Sequence, residues 1–353
     1  MTGRDTPFGR PLRRRHGQGA AGRSTGGIAT PPKPALRRLG TGLAGTVLAT
    51  AVALTATSCS PAGKEDRAGE KAATSSPAAA PLVPSEGALL GHYYGDGTME
   101  ETDARIGTAP GIHLTYYGWE DDWSDSEATR DDFSGGRIPL VNWEPFDVDF
   151  NDIVDGSLDA TIEKQADGAK ALDKPFFLDF AAEMNEEEGW GGHDPELYIA
   201  AYRHIHEVFD RRGATNVVWV WAPNVTDSPD APDVMSYYPG DEYVDWTGVD
   251  GYNWGTSDPD FAWQSFTELF RDIYGKLAAK GKPVIIGETG SDETGGSKPE
   301  WIRGIVPGLK EEFPLIKALV WFDVDKERHW QIGSSPATLA AYQQMAEDPY
   351  FTR

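Results

Sequence analysis

Two glutamates end short apolar runs: Glu183 follows FFLDFAA at 176–182, and Glu288 follows KPVIIG at 282–287. A carboxyl group at the edge of a buried run is costly without partners and a purpose, which separates this pair from ordinary surface acids. If both runs are strands of one parallel barrel, the two groups stand at strand C-terminal ends, where barrel sites form. A carboxylic acid and a carboxylate facing across such a mouth can cleave a glycosidic bond. Retention of configuration needs them ~5–5.5 Å apart, and inversion needs room for a water. Glu186, Glu187 and Glu188, which follow closely, read as solvated surface charge.

Aromatic residues point the same way. Tyr93, Tyr116, Trp119, Trp143, Trp190, Trp254 and Trp321 lie at or just past the ends of apolar runs, where flat faces can stack on pyranose rings. For each the alternative is that it fills the core or the rim. Trp321, on the last run, is the expected floor of the reactive subsite, whereas Trp219 and Trp246 sit mid-run and read as packing.

Eight apolar runs are available to position these groups, at 88–94, 111–119, 137–143, 175–181, 216–224, 243–254, 282–288 and 318–324. Helical patterns separate most of them, clearest at 197–212, 262–279, 299–312 and 337–346, where apolar residues recur at three- and four-residue spacing. The alternation predicts an α/β fold, one (β/α)8 TIM barrel over residues 87–353. Glu183 would then close the fourth strand and Glu288 the seventh, across the mouth from one another. A doubly wound open sheet shares the alternation. It should carry a Gly-rich phosphate turn after its first strand, and YYGDGTMEE at 93–101 matches that poorly.

The segments AEMN at 182–185, PGDEYVDWTGVDGYNWG at 239–255 and KPVIIGETG at 282–290, in that order, resemble glycoside hydrolase family 26. Its best-known members are retaining endo-β-mannanases, with mixed-linkage β-glucanases and β-1,3-xylanases beside them. The resemblance implies Glu183 as general acid/base and Glu288 as nucleophile. It also implies Tyr252 as hydrogen-bond donor to the nucleophile, Asp250 as a nearby supporting carboxylate, and Asn185 of the AEMN segment as a further support. Trp190, Trp321, Trp254, Trp119 and Trp143 are the candidate sugar-stacking residues. Family members usually carry His directly before the acid/base, helping to hold the sugar. Here Ala182 takes that place, and Trp190 falls two residues later than the usual spacing.

Residues 1–59 read as an export segment: a basic stretch with Arg13, Arg14, Arg15, Arg37 and Arg38, then a modestly apolar run at 41–58. Ala56-Thr57-Ser58 before Cys59 resembles a bacterial lipobox, with Cys59 as the lipidated residue. An ordinary secretory signal and a twin-arginine route are alternatives. Cys59 is the only cysteine, so disulfides and thiolate metal sites are excluded. Residues 60–86, rich in Ala, Pro, Ser and charge, read as a flexible tether.

The net charge of −24 becomes −32 without residues 1–59, which hold nine Lys or Arg against one Asp. Such acidity argues against nucleic acid or anionic lipid as a partner and is compatible with a neutral polysaccharide. His204 and His206 sit two apart on a predicted helix and His113 is mid-strand, so no metal or other cofactor is expected. The expectation is a monomeric, exported, membrane-anchored or extracellular endo-β-glycanase, with β-1,4-mannan the leading substrate and mixed-linkage β-glucan or β-1,3-xylan the alternatives. The reading of another class is a barrel that binds polysaccharide without cleaving it.

Overall fold

The structure, a computed structural model, describes residues 80–95, 97–186, 190–229 and 231–352. The expected export segment, Cys59 and the tether up to residue 79 lie outside the described residues. Eight parallel strands form the framework: β1 (Ala88–Tyr93), β2 (Ile112–Gly118), β3 (Ile138–Glu144), β4 (Phe176–Phe180), β5 (Val217–Trp221), β6 (Trp246–Asn253), β7 (Val284–Ser291) and β8 (Ile316–Phe322). Each pairs with the next, and β1 pairs with both β2 and β8, which closes the ring. A two-residue strand, β9 (Phe351–Thr352), adds to the start of β1. The expected (β/α)8 barrel is the fold of this domain.

Helices cross between strands: α1 (Met99–Ile106), α2 (Glu127–Gly135), α3 (Phe150–Val154), α4 (Asp159–Leu172), α5 (Pro195–Arg212), α6 (Phe266–Ala278), α7 (Lys298–Arg303), α8 (Ile305–Glu311) and α9 (Pro336–Ala346). Their starts are written locally. Asp194 accepts from two first-turn amides of α5, and Ser265 and Glu268 form a reciprocal capping box on α6. The single helix expected over 299–312 is broken at Gly304 into α7 and α8. Between β5 and β6 the described crossover holds only a short 3-10 turn, Val234–Tyr237.

Two-residue alternation along the strands sorts side chains into two layers. Leu114, Leu140, Phe177, Val218, Val220, Ile285, Ala318 and Val320 fill the barrel interior as one buried cluster. Their strand neighbours form a second, larger cluster with the helices. Residues 80–86 were expected to belong to the flexible tether, and the structure corrects this for their first part. Ala80, Leu82 and Val83 pack on the interior cluster, and Trp246 Nε1 donates to Pro81 O at 2.8 Å. Apolar side chains with a barrel to cover remain with it rather than in water.

Candidate active site

Glu288 lies within β7, not at its end, and a β-bulge turns it inward. Val249 pairs with Ile286 but Asp250 pairs with Glu288, so Gly287 is the extra residue. A Cβ on Gly287 would lie 2.6 Å from Asp250 Oδ1, so any other residue there must displace that buried carboxyl. The resulting carboxyl is 8% exposed, and both its oxygens are occupied. Tyr116 Oη donates to Oε1 and Tyr252 Oη to Oε2, each at 2.5 Å. Burial pushes Glu288 above the usual carboxylate range, while the two phenol bonds and Lys326 pull it back.

Glu183 stands three residues past the end of β4, in a turn where Ala181 and Glu183 both take positive φ, 53° and 56°. Such backbone costs about 1–3 kcal/mol per residue and persists only where the surroundings fix it. Here Ala181 N donates to Trp143 O, Glu183 N donates to Ala222 O at 2.8 Å, and Met184 and Asn185 are fully buried. Asn224 Nδ2 donates to Glu183 Oε1 at 2.8 Å. Burial holds Glu183 well above the ordinary carboxylate range, with Glu186 and Glu288 adding to the shift. Both carboxyls are raised by burial, and Glu288 also holds two phenol bonds that favour its ionised form, so the two environments suit an acid and a nucleophile.

Asp250 is buried on β6 in register with Glu288, and burial and the Glu288 charge raise it well above the carboxylate range. Asp179, inward-facing on β4, is raised for the same two reasons. Asn185 touches neither carboxyl. It accepts from Asn224 N at 2.8 Å and donates to Asn224 O at 3.0 Å and Asp227 Oδ1 at 2.9 Å, which fixes the loop after β5.

Of the five candidate tryptophans, two line the mouth. Trp190 is half-buried, donates Nε1 to Ala182 O at 2.7 Å, and meets Phe146 edge-on at 5.1 Å. The longer spacing after Glu183 thus still returns an indole to the residue before it. Trp254 stacks on Phe261 at 5.0 Å beneath the Arg328 guanidinium.

The other three are corrected. Trp321 is 0% exposed and faces the helix layer, edge-on to Tyr342 at 5.3 Å, so it cannot be a subsite floor. Val320 and Phe322 take the inward positions of β8, and Phe322 stacks on Tyr93 at 4.8 Å. Trp143 is likewise turned outward, stacked on Trp119 at 4.6 Å, and both are buried. Trp321 acts indirectly: its Nε1 donates to Trp330 O at 3.0 Å, and the Trp330 ring lies 4.8 Å from that of Tyr252. Buried Lys298 ties the same loop through His329 O and Gln331 O.

Sequence reasoning missed Asn224 and Glu144, and it valued Tyr116 only as an aromatic. The signal was strand parity: from Leu140 inward, Asn142 and Glu144 follow at two-residue steps, as Tyr116 follows Leu114. Among the described residues no group of three or more His, Cys, Asp or Glu side chains is arranged to hold a metal ion.

Residues 145–289 match the glycosyl hydrolase family 26 profile. Endoglucanase H of Acetivibrio thermocellus is 36% identical over 267 residues, covering 73% of this chain and 30% of that protein. Mannan endo-1,4-beta-mannosidase A and B of Caldalkalibacillus mannanilyticus is 29% identical over 185 residues, 49% of this chain and 32% of that protein. The chain therefore spans about a third of the length of these two relatives. Among solved structures, the Bacillus subtilis mannanase BCman superposes with a TM-score of 0.55 at 22% identity, over 76% of this chain and 88% of that one, a likeness of fold. The profile match runs from just past β3 through Glu183, Tyr252 and Glu288, so the stretch of the barrel that carries the candidate site is similar to glycosyl hydrolase family 26.

Proposed function

We propose that this domain is an endo-acting, retaining β-glycoside hydrolase. The observation that carries the reading is Glu288, a buried carboxyl held at both oxygens by Tyr116 and Tyr252, with Glu183, raised by burial and by the Glu186 and Glu288 charges, at the same mouth. In the first step Glu183 gives its proton to the glycosidic oxygen. The bond from that oxygen to the anomeric carbon breaks as a Glu288 oxygen bonds to the carbon. In the second step Glu183 takes a proton from water, the water oxygen bonds to the anomeric carbon, and Glu288 leaves as carboxylate. Tyr116 and Tyr252 hold the Glu288 plane still and favour its charged form in both steps.

For the substrate, we favour a β-glucan of the mixed-linkage type. One feature supports this over the mannan expected from the family's best-known members: Endoglucanase H matches 73% of the chain at 36% identity, against 49% at 29% for the mannosidase. β-1,4-Mannan is the second reading, supported by the mannan endo-1,4-beta-mannosidases among the relatives. Phe146, 56% exposed beside Trp190, and Phe261, 39% exposed on Trp254, supply ring faces at two loops of the mouth. Export and a lipid anchor on Cys59 belong to the same proposal.

The test is product analysis on barley-type β-glucan, galactomannan, glucomannan and β-1,3-xylan, with Glu183→Ala and Glu288→Ala beside the wild type. Cleavage of β-glucan, lost in both variants, is expected. Preferential cleavage of galactomannan would overturn the substrate reading. Binding without cleavage of any polymer would replace the enzyme by a glycan-binding accessory.

A further inference from the structure

Asn224 commits the two hydrogens of one amide to two different carboxyl groups. Nδ2 lies 2.8 Å from Glu183 Oε1 and 2.7 Å from Glu186 Oε1. The amide cannot turn over freely, because Thr226 N donates to Asn224 Oδ1 at 3.0 Å and Asn185 brackets the Asn224 backbone on both sides. Glu186 is held from its own backbone as well. Its N donates to Glu183 O at 3.1 Å, and its O accepts from His193 Nε2. A residue that sequence alone reads as one of three solvated charges therefore has a fixed place beside the acid.

We propose that Glu186 is a positioning residue for Glu183: tied to the same amide, its carboxylate sets a second negative charge beside the acid and keeps the proton on the pair near neutral pH. This rests on Glu183 being the acid/base. Two carboxyls on one donor cannot both ionise without repulsion, so the first proton to leave makes the second harder to remove. Glu186 is the more exposed of the two and takes up the charge at lower cost, while Glu183, deeper in the mouth, retains its proton. Burial is the largest influence on Glu183, and Glu186 the next. The other groups facing the pair are Glu288 on β7, Tyr252 and Asp250 on β6, and Lys326 and Glu327 after β8. Of these Lys326 alone is cationic, and it works against Glu186.

The experiment is an NMR titration of side-chain carboxyl carbons in wild type and Glu186→Gln, with the Glu183 signal identified by its loss in Glu183→Gln. Glutamine keeps an acceptor for Asn224 and removes only the charge. Solvent screens an exposed charge, so the Glu183 midpoint should fall by about half to one pH unit. On whichever of the four polymers is cleaved, the alkaline limb of kcat/KM should move down by the same amount. An unchanged midpoint overturns the proposal, as does a uniform loss of rate with the limb in place, which would mark a structural role. Wild-type cleavage by Glu183→Ala would remove the acid/base reading instead, and the titration would still report on the pair.

Discussion

Glu288 gains its orientation from two phenols, and each bond should be separable. Removing one partner of a hydrogen bond to a charged group costs about 1.5–3 kcal/mol. Tyr116→Phe and Tyr252→Phe should therefore each lower kcat roughly 10- to 100-fold, with the fold intact by circular dichroism. The double variant should lose less than the product of the single losses, because both tyrosines act on one carboxylate. Rates within twofold of wild type in both single variants would mean the phenols do not serve the reaction. At this scale the sequence was only partly legible. Glu183, Glu288, Tyr252 and Asp250 stand in segments whose order resembles the family. Asn224 belongs to the site only through a contact 41 residues away in the chain, which no local pattern announces, while Tyr116, 172 residues from Glu288, shows only in its two-residue step from Leu114.

At the scale of elements, β7 places the nucleophile candidate by a bulge rather than by ending. The bulge needs Gly287, since any Cβ there would press on Asp250 Oδ1. Gly287→Ala should lower stability by about 1–3 kcal/mol and also reduce activity, by forcing Asp250 or Glu288 from its place. A denaturant midpoint and rate both equal to wild type would show that the strand relaxes freely. The barrel itself was readable, because buried strands of a parallel sheet read as near-continuous apolar runs. That same continuity hid which face each residue takes. Trp321 and Trp143 look like sugar platforms at strand ends, yet each is one step out of phase with the inward residues and lies under the helices. An alternating strand with one polar face would have shown the parity directly. Residues 80–83 escaped for a different reason. They have no period of their own, and only the open base of the barrel gives them something to cover.

The whole domain gathers several carboxyls into one barrel mouth, and this sets its response to pH. Burial, then the Glu288 charge, pushes Glu144 up to about 8 from an ordinary 4.5, with Lys326 opposing. Between those values the folded domain keeps a proton that the unfolded chain has released. The contribution of Glu144 to stability is thus complete below the lower value and lost as pH rises to the upper. Asp179, Asp250 and Glu183 act in the same direction. The melting temperature should fall as pH is raised from about 5 to about 8, and Glu144→Gln, which cannot ionise, should fall less; equal slopes would refute the linkage. For the full chain, Cys59→Ser should release the protein from the membrane fraction, and unchanged retention would contradict a lipid anchor. The most direct test of the account is to treat the protein with 2-deoxy-2-fluoro glycosyl fluorides of cellobiose and mannobiose and map the modified peptide by mass spectrometry. The account predicts one fluoro-disaccharide on Glu288, and a label on any other residue would contradict it.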